Sequence, residues 1–279
     1  MIPAAFDYEL ADSVEHAISL LGSDPDAKVL AGGHSLVPAL KLRIARPSKL
    51  VDIGRLSDLA YVRDAGSQLA IGALTRHAAV HADPLLQEHC PIVSTTAGKI
   101  GDPQVRHRGT IGGSLAHGDP ASDLPAVMLA LDADFVIVGA SGERTVSASE
   151  FFTGVFETAV GPGELLTEVR VPKLGDATGW SYLKYHRRAQ DWATVGVAVL
   201  VHHDGGSPSG ASVALTNMGA TPLRAAKVEE AVAGGASVAD AAAHAADGTE
   251  PSSDTAASAE FRMHLARVLT ERALGEALA

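Results

Sequence analysis

Two short, similar glycine-rich segments constrain this chain more than any other feature. The first is Leu30-Ala31-Gly32-Gly33-His34-Ser35-Leu36, and the second is Gly109-Thr110-Ile111-Gly112-Gly113-Ser114. Paired glycines can adopt φ > 0 and let backbone N–H groups approach a phosphate without a Cβ in the way. One such pair is compatible with a simple tight turn. Two that meet in space would suit the diphosphate that joins two nucleotides.

Other nucleotide and hydrolase motifs are absent from the sequence. The segment Gly161-Pro162-Gly163 does not continue as G-x-G-x-x-G, because Leu166 stands where the third glycine belongs. The sequence contains no P-loop, no G-x-S-x-G elbow and no H-E-x-x-H. These absences argue against a Rossmann NAD site, a hydrolase and a zinc protease, and no metal site is predicted.

Charge and cysteine content narrow the class of protein further. The net charge is −11, which argues against a nucleic-acid partner, since such a partner needs a basic face. The only cysteine is Cys90. An iron–sulfur cluster normally takes four cysteine ligands, so this chain alone is not expected to hold one.

The sequence shows no targeting or membrane segment. The N-terminal stretch from Met1 to Asp7 lacks a basic region followed by an apolar one. No apolar run approaches the roughly 18 residues of a transmembrane helix. The cytoplasm is therefore the expected location.

Hydrophobic periodicity predicts alternating strands and helices up to a boundary near 172–176. Residues 14–21 form a helix capped by Asp12 or Ser13, and residues 99–113 form a loop. The other helices are predicted at 36–44, 75–82, near Leu85 and at 123–131, and the strands at 28–31, 50–53, 69–71 and 135–138. After the boundary, strands at 180–184, 195–201 and 212–216, with a turn-rich 203–210, form an antiparallel meander, and helices follow at 225–233, 238–245 and 261–278.

The quoted motifs resemble those of a known family, the FAD-binding medium subunits of carbon monoxide dehydrogenase- and xanthine dehydrogenase-type molybdenum hydroxylases. Residues 31–38 resemble the first FAD-diphosphate motif of that family, and residues 110–120 resemble the second. Residues 215–219 and 221–223 are similar to its C-terminal domain. The resemblance extends over essentially the whole chain.

The resemblance implies an α+β fold in three parts. Two N-terminal α/β subdomains, at 1–55 and 56–174, would clamp the FAD in a PCMH-type FAD-binding fold. A C-terminal domain at 175–279 would pack a three-stranded antiparallel sheet against helices.

The resemblance also implies roles for individual residues. One side of the FAD diphosphate would be held by Ala31, Gly32, Gly33, His34, Ser35 and Leu36, and the other by Thr110, Ile111, Gly112, Gly113 and Ser114. Asp123 would bind a polar part of the cofactor, Leu166 would pack on it, and Lys184 would lie near the flavin. Trp192 would lie against the isoalloxazine ring. The alternatives are a helix N-cap for Asp123, a solvated strand residue for Lys184 and core packing for Trp192.

The implied function is electron transfer within a complex. A large molybdopterin subunit would oxidise the substrate, and a small iron–sulfur subunit would pass electrons to the FAD of this chain, which would reduce an external acceptor. The complex would be a hetero-oligomer, a dimer of heterotrimers. Two alternatives stay open. One is a stand-alone flavin oxidase or dehydrogenase using His34, His107 or His117 as proton acceptor, and the other is a non-catalytic nucleotide-binding subunit.

Overall fold

A three-stranded parallel sheet is the first structure along the chain. The computed structural model describes residues 1–205 and 207–279. The strands are β1 (Asp7–Leu10), β2 (Lys28–Leu30) and β3 (Lys49–Asp52), in the order β1-β3-β2. Helix α1 (Val14–Gly22) packs against β3 and is capped by the Ser13 hydroxyl, as the sequence predicted. Helix α2 (Leu36–Lys41) follows the first glycine loop.

A five-stranded antiparallel sheet forms the middle of the chain. Its strands lie in the order β4-β5-β10-β6-β7, and β8 and β9 form a separate hairpin. The strands are β4 (Val62–Ala65), β5 (Gln68–Gly72), β6 (Asp134–Gly139), β7 (Gly142–Ser147), β8 (Phe152–Gly154), β9 (Glu157–Thr158) and β10 (Leu165–Pro172). The sequence predicted β5 and β6 but did not predict β7 or the central strand β10.

Within residues 75–151, all of which the structure describes, seven helices accompany this sheet, and most are short. They are α3 (His77–Ala82), α4 (Pro84–His89), α5 (Pro91–Gly98), α6 (Pro103–Arg108), α7 (Ile111–His117), α8 (Asp123–Ala130) and α9 (Ala148–Phe151). The prediction of a loop at 99–113 was wrong, because α6 and the start of α7 lie there. Asp102 caps α6 by accepting a hydrogen bond from the Val105 N–H at 2.9 Å. A six-residue helix is too short for its periodicity to be read from the sequence.

In the C-terminal part, the described residues form an antiparallel sheet packed on three helices. The strands, in sheet order, are β11 (Thr178–Tyr185), β12 (Val195–Asp204), β13 (Ser207–Thr216) and β14 (Leu223–Arg224). The helices are α10 (Ala226–Ala233), α11 (Val238–Ala243) and α12 (Ala259–Ala277). The predicted three-strand meander is confirmed, and β14 adds a short fourth strand. Strand structure extends through most of the predicted turn-rich segment, of which residue 206 lies outside the described residues.

Strand β12 is buried on both faces, which joins the C-terminal sheet to the middle of the molecule. Val197 and Val199 belong to an apolar cluster with α12. Ala198 and Leu200 point the other way, into the cluster that contains α8. The C-terminal sheet therefore lies between α12 and α8, and this position brings β11 next to the start of α8.

The three large sheets occupy successive parts of the chain. Their strands fall within residues 7–52, 62–172 and 178–224. The division of the chain after residues 55 and 174 stays a prediction. Cys90 is fully buried, and burial raises the pKa of its thiol to about 12. Among the residues described, no helix is long and apolar enough to cross a membrane.

Candidate functional site

The two glycine loops are in direct contact. A Cβ on Gly32 would collide with the carbonyl oxygen of Arg108 and would lie 2.8 Å from the Gly109 Cα. A Cβ on Gly113 would lie 3.9 Å from the Ala31 Cβ. The meeting of two loops that the sequence suggested is therefore present in the fold. Only glycine at position 32 leaves room for the contact.

The first loop presents backbone donors without partners. Gly33 has φ of +78°, and the side chains of His34 and Ser35 are exposed. The N–H groups from Gly32 to Ser35 donate no hydrogen bond to any residue that the structure describes. Leu36, half-buried, begins α2. A run of free N–H groups with little side-chain cover is a binding surface for an anion.

The second loop is fixed to the central sheet. The N–H groups of Ile111 and Gly112 donate to the carbonyls of Thr75 and Ala73, at 3.0 and 2.9 Å. The Thr110 hydroxyl caps α7 by accepting from the Gly113 N–H at 3.1 Å. Ile111 and Gly112 are buried. These two residues thus hold the loop in place, while the exposed Gly113 and the half-buried Ser114 face outward.

Positive charge surrounds the junction of the loops. Arg76 donates to the carbonyl of Arg108, and Arg106 donates to the carbonyls of Ile100 and Gly101, at 2.9 and 3.2 Å. Burial of Arg76 and the neighbouring Arg108 cation lower the Arg76 pKa. Such a cluster, in a chain of net charge −11, marks the junction as a place for an anion.

A buried histidine lies behind the second loop. His77 is 3% exposed, and its Nδ1 has no hydrogen-bond partner among the described residues. A Cβ on Gly109 would lie 2.8 Å from the imidazole Cδ2. Burial, with the Arg106 and Arg76 cations, lowers the pKa of His77 to about 4. The sequence did not single out His77, because only the fold brings it to Gly109.

A buried ion pair joins α8 to β11. The two carboxylate oxygens of Asp123 accept hydrogen bonds from the Tyr182 hydroxyl at 2.6 Å and from Lys184 Nζ at 2.9 Å. The side chains of Asp123 and Lys184 are 6% and 3% exposed. Burial raises the pKa of Asp123, against the opposing effects of Lys184 and Tyr182. Asp123 is not an N-cap and Lys184 is not solvated, so both alternative interpretations are wrong.

An open cleft of about 430 Å³ lies between α5–α6 and the end of β11. Its charged or titratable lining residues are Lys99, Arg106, Lys184 and His186. Lys99 Nζ donates to the Tyr182 carbonyl at 2.5 Å. The cleft is therefore bordered by both the middle and the C-terminal parts of the chain, and its walls carry donors and positive charge.

Trp192 and Leu166 occupy opposite environments. Trp192 is 69% exposed and lies in the loop between β11 and β12. Its interpretation as a core residue is therefore wrong. The adjacent Asp191 carbonyl accepts a hydrogen bond from Lys184 Nζ, a group that lines the cleft, at 3.4 Å. Leu166 lies on β10, is 4% exposed and packs in the core, so the structure does not bring it to the cleft lining.

Comparison with known proteins identifies the family. Residues 4–174 match the model of the FAD binding domain in molybdopterin dehydrogenase, and residues 180–277 match that of the CO dehydrogenase flavoprotein C-terminal domain. The chain belongs to this family of FAD-binding oxidoreductase subunits. Its cofactor is FAD.

Relatives of this flavoprotein family match the chain over nearly their full length. The carbon monoxide dehydrogenase medium chain of Hydrogenophaga pseudoflava is 42% identical, with 100% of this chain and 99% of that one covered. A subunit of the 6-hydroxypseudooxynicotine dehydrogenase complex of Paenarthrobacter nicotinovorans is also 42% identical, over 100% of this chain and 96% of that one.

Solved structures show the same architecture. A chain of the carbon monoxide dehydrogenase from Hydrogenophaga pseudoflava superposes with a TM-score of 0.96 at 44% identity, with 99% of this chain and 98% of that one covered. A chain of quinoline 2-oxidoreductase from Pseudomonas putida 86 gives a TM-score of 0.95 at 34% identity, with coverages of 100% and 98%.

FAD fits the residues that the fold brings together. Its diphosphate is an anion that needs donors and positive charge. The free N–H groups from Gly32 to Ser35 and the arginines around Arg108 provide both. Glycine at position 32 lets the first loop contact the backbone of Arg108, because a Cβ there would collide with the Arg108 carbonyl.

Proposed function

We propose that this chain is the electron-transferring flavin subunit of a molybdenum hydroxylase complex. It would receive electrons from iron–sulfur clusters on a partner subunit and deliver them to an external acceptor. The observation that carries the proposal is the contact between two glycine loops beside a cationic cluster, in a chain that matches medium subunits over their full length. Bound FAD supplies the electron chemistry, while the protein binds, orients and shields it.

The site residues receive separate roles in this proposal. Backbone N–H groups of the first loop, Ala31 to Leu36, would hold one side of the diphosphate. Gly113 and Ser114 would face the other side, on a loop fixed by the buried Thr110, Ile111 and Gly112. Charge-assisted hydrogen bonds of this kind contribute about 1.5–3 kcal/mol each. These assignments are supported by the free N–H groups of the first loop and the outward position of Gly113.

The open cleft would receive the flavin ring. Lys184, held by Asp123 and lining the cleft, would present a fixed cation to the ring. Trp192 would cover one face and exclude water, which explains why a large aromatic side chain stays 69% exposed in the chain alone. Leu166 would pack against the cofactor from the core.

Partner subunits are part of the proposal. The one cysteine, Cys90, is buried and cannot ligate a cluster by itself, so the clusters would lie on a small subunit and the molybdopterin on a large one. Two such heterotrimers would form the hetero-oligomer. Relatives at 30–42% identity carry the names of dehydrogenases for carbon monoxide, caffeine and xanthine. We infer that a partner subunit, not this chain, selects the substrate.

Purification from the native host tests the assembly. The expected result is co-purification of this chain with a small iron–sulfur subunit and a large molybdopterin subunit. A fully active single chain with its own substrate would instead establish a stand-alone flavin enzyme.

Visible absorption of the purified chain tests the cofactor site. After incubation with FAD and desalting, the expected result is a flavin spectrum, with FAD and not FMN released on denaturation. Trp192→Ala should weaken FAD retention. Its free energy of unfolding without FAD should change by less than about 0.5 kcal/mol, because the side chain is exposed. Unchanged retention in this variant would contradict the placement of the ring.

A further inference from the structure

Asn217 joins two distant parts of the chain through three hydrogen bonds. Its backbone N–H donates to the Pro120 carbonyl at 2.9 Å. Its side-chain Nδ2 donates to the carbonyls of Ala193 and Thr194, at 2.8 and 3.3 Å. Asn217 has φ of +62°, a left-handed conformation that asparagine tolerates better than most residues. Pro120 lies between α7 and α8, so Asn217 connects the segment after the second glycine loop to the loop that carries Trp192.

The Trp192 loop is held from other sides as well. Arg262, 1% exposed on α12, donates to the Thr194 carbonyl, to the Ser252 carbonyl at 3.1 Å and to the Asp254 carboxylate at 2.7 Å. Lys184 Nζ donates to the Asp191 carbonyl at 3.4 Å. The carbonyls on both sides of Trp192 are therefore engaged, whereas the Trp192 side chain makes little contact with the chain.

The stability of the fold does not explain why the loop is held by hydrogen bonds while the Trp192 side chain is exposed. An exposed aromatic side chain gains almost nothing for the fold, and a surface loop of this kind is normally mobile. Here the backbone under the exposed indole is fixed by buried side chains of two other elements. Ordering a loop before a ligand arrives removes that ordering cost from the binding step.

We propose that Asn217 is a positioning residue that, assisted by Arg262, holds Trp192 at the rim of the cleft before the cofactor binds. The inference rests on the proposed function for the identity of the ligand. It concerns residues outside the lining of the cleft: Asn217 acts through the backbone of residues 193 and 194. It also ties the position of Trp192 to the unit that contains the second glycine loop.

Time-resolved fluorescence anisotropy of Trp192 tests the proposal in the full-length, FAD-free chain. The background variant Trp180→Phe leaves Trp192 as the only tryptophan. In that background Asn217→Gly keeps a backbone that accepts positive φ but removes the side-chain amide. The expected result is a clear increase in the amplitude of fast local motion of Trp192, with overall tumbling unchanged.

Two further variants sharpen the measurement. Asn217→Asp keeps the shape but places carboxylate oxygens against two carbonyls, so the increase should be at least as large as for glycine. Asp132→Gly is the matched control, because Asp132 also has positive φ, at +49°, and lies outside the Trp192 loop. Asp132→Gly should leave the anisotropy of Trp192 unchanged.

FAD titration gives the second readout. If Trp192 is ordered before FAD binds, Asn217→Gly should weaken FAD affinity by up to about tenfold. The variant would then have to immobilise the Trp192 side chain and its loop during binding. Unchanged local motion in folded Asn217→Gly would overturn the proposal. Increased motion without quenching of Trp192 emission by bound FAD would leave the positioning role intact. It would instead refute the placement of the flavin ring in the cleft.

Discussion

Gly32 is the residue at which the two loops approach most closely, and its requirement is steric. The Arg108 carbonyl occupies the volume of a Cβ, and a carbonyl held by Arg76 cannot easily move away. Any side chain here has to separate the loops. The separation would displace the N–H groups that the diphosphate needs, so the effect should appear in cofactor binding as well as in stability.

We predict that Gly32→Ala weakens FAD binding by at least about tenfold and destabilises the fold by about 1–3 kcal/mol, the usual cost of overpacking. FAD titration and urea unfolding measure the two effects. Gly22→Ala is the control, since a Cβ at Gly22 meets no atom of the described residues within 4 Å. Equal FAD affinities for the two variants would contradict the contact between the loops.

His77 makes stability depend on pH. Its folded pKa is lowered to about 4, whereas an unfolded histidine titrates near 6.5. Between these values the unfolded chain binds a proton that the folded chain refuses, so stability falls as pH falls from about 6.5 to about 4. Linkage gives a loss of roughly 2 kcal/mol from this residue between pH 7.5 and 5.

Urea unfolding at both pH values, with wild type and His77→Gln, measures this contribution. The variant should lose less stability on acidification than the wild type, by about the stated 2 kcal/mol. The same loss in both proteins would show that His77 is protonated in the folded chain.

At the scale of elements, helix α12 packs against strand β11, and a methyl group can be added at one glycine of this pair of elements but not at another. A Cβ on Gly275, exposed near the end of α12, would meet no atom within 4 Å in the part of the chain that the structure describes. A Cβ on Gly179 of β11 would instead collide with the Ala277 carbonyl. Gly275→Ala should raise stability by about 0.5–1 kcal/mol, because glycine loses more backbone entropy in a helix. Thermal unfolding should show a Tm higher by about 2 °C.

For Gly179→Ala, at the same contact between α12 and β11, we expect the opposite change in stability. It should lower Tm, because strand and helix have to separate to admit the methyl group. A lower Tm for Gly275→Ala would contradict the position of α12.

Helices and strands with a continuous apolar run could be predicted from the sequence. Strands whose buried polar residues depend on hydrogen bonds to other strands could not. Strand β6 and helix α8 are strongly apolar and were predicted with nearly correct bounds. Strand β10 was not predicted, because Glu168 interrupts its apolar run. That carboxylate is buried while it accepts hydrogen bonds from Tyr61 at 2.5 Å and from Arg63 and Arg170 at 2.6 Å. Tyr61 and Arg63 lie more than one hundred residues away in sequence and leave no local signal.

The candidate site divides in the same way. The glycines of both loops were predicted from residue type. Gly33 has the positive φ that the prediction invoked, whereas Gly32 and Gly112 are required because a Cβ there would collide with neighbouring backbone. The roles of Arg76, His77 and Asn217 depend on contacts between separate elements. The buried environment of Asp123 depends on the C-terminal sheet, and no spacing along the chain reports it.

At the scale of the whole molecule, the Asp123–Lys184 pair connects the FAD-binding part to the C-terminal part. Lys184→Met leaves a buried carboxylate without its cation and should cost about 3–5 kcal/mol. The double variant Asp123→Asn/Lys184→Met removes both charges and should be more stable than the sum of the single changes predicts. Denaturant unfolding of the four proteins gives the coupling energy. Strict additivity would contradict the pairing.

The burial of the Cys90 thiol determines how the protein responds to oxidation. Reduced flavins pass electrons to dioxygen, and the peroxide that results attacks thiolates that are accessible. Cys90 is fully buried, and its pKa of about 12 leaves almost no thiolate at neutral pH. The chain thus offers peroxide no reactive sulfhydryl, so we do not expect sulfenic acid formation or disulfide cross-linking to inactivate it.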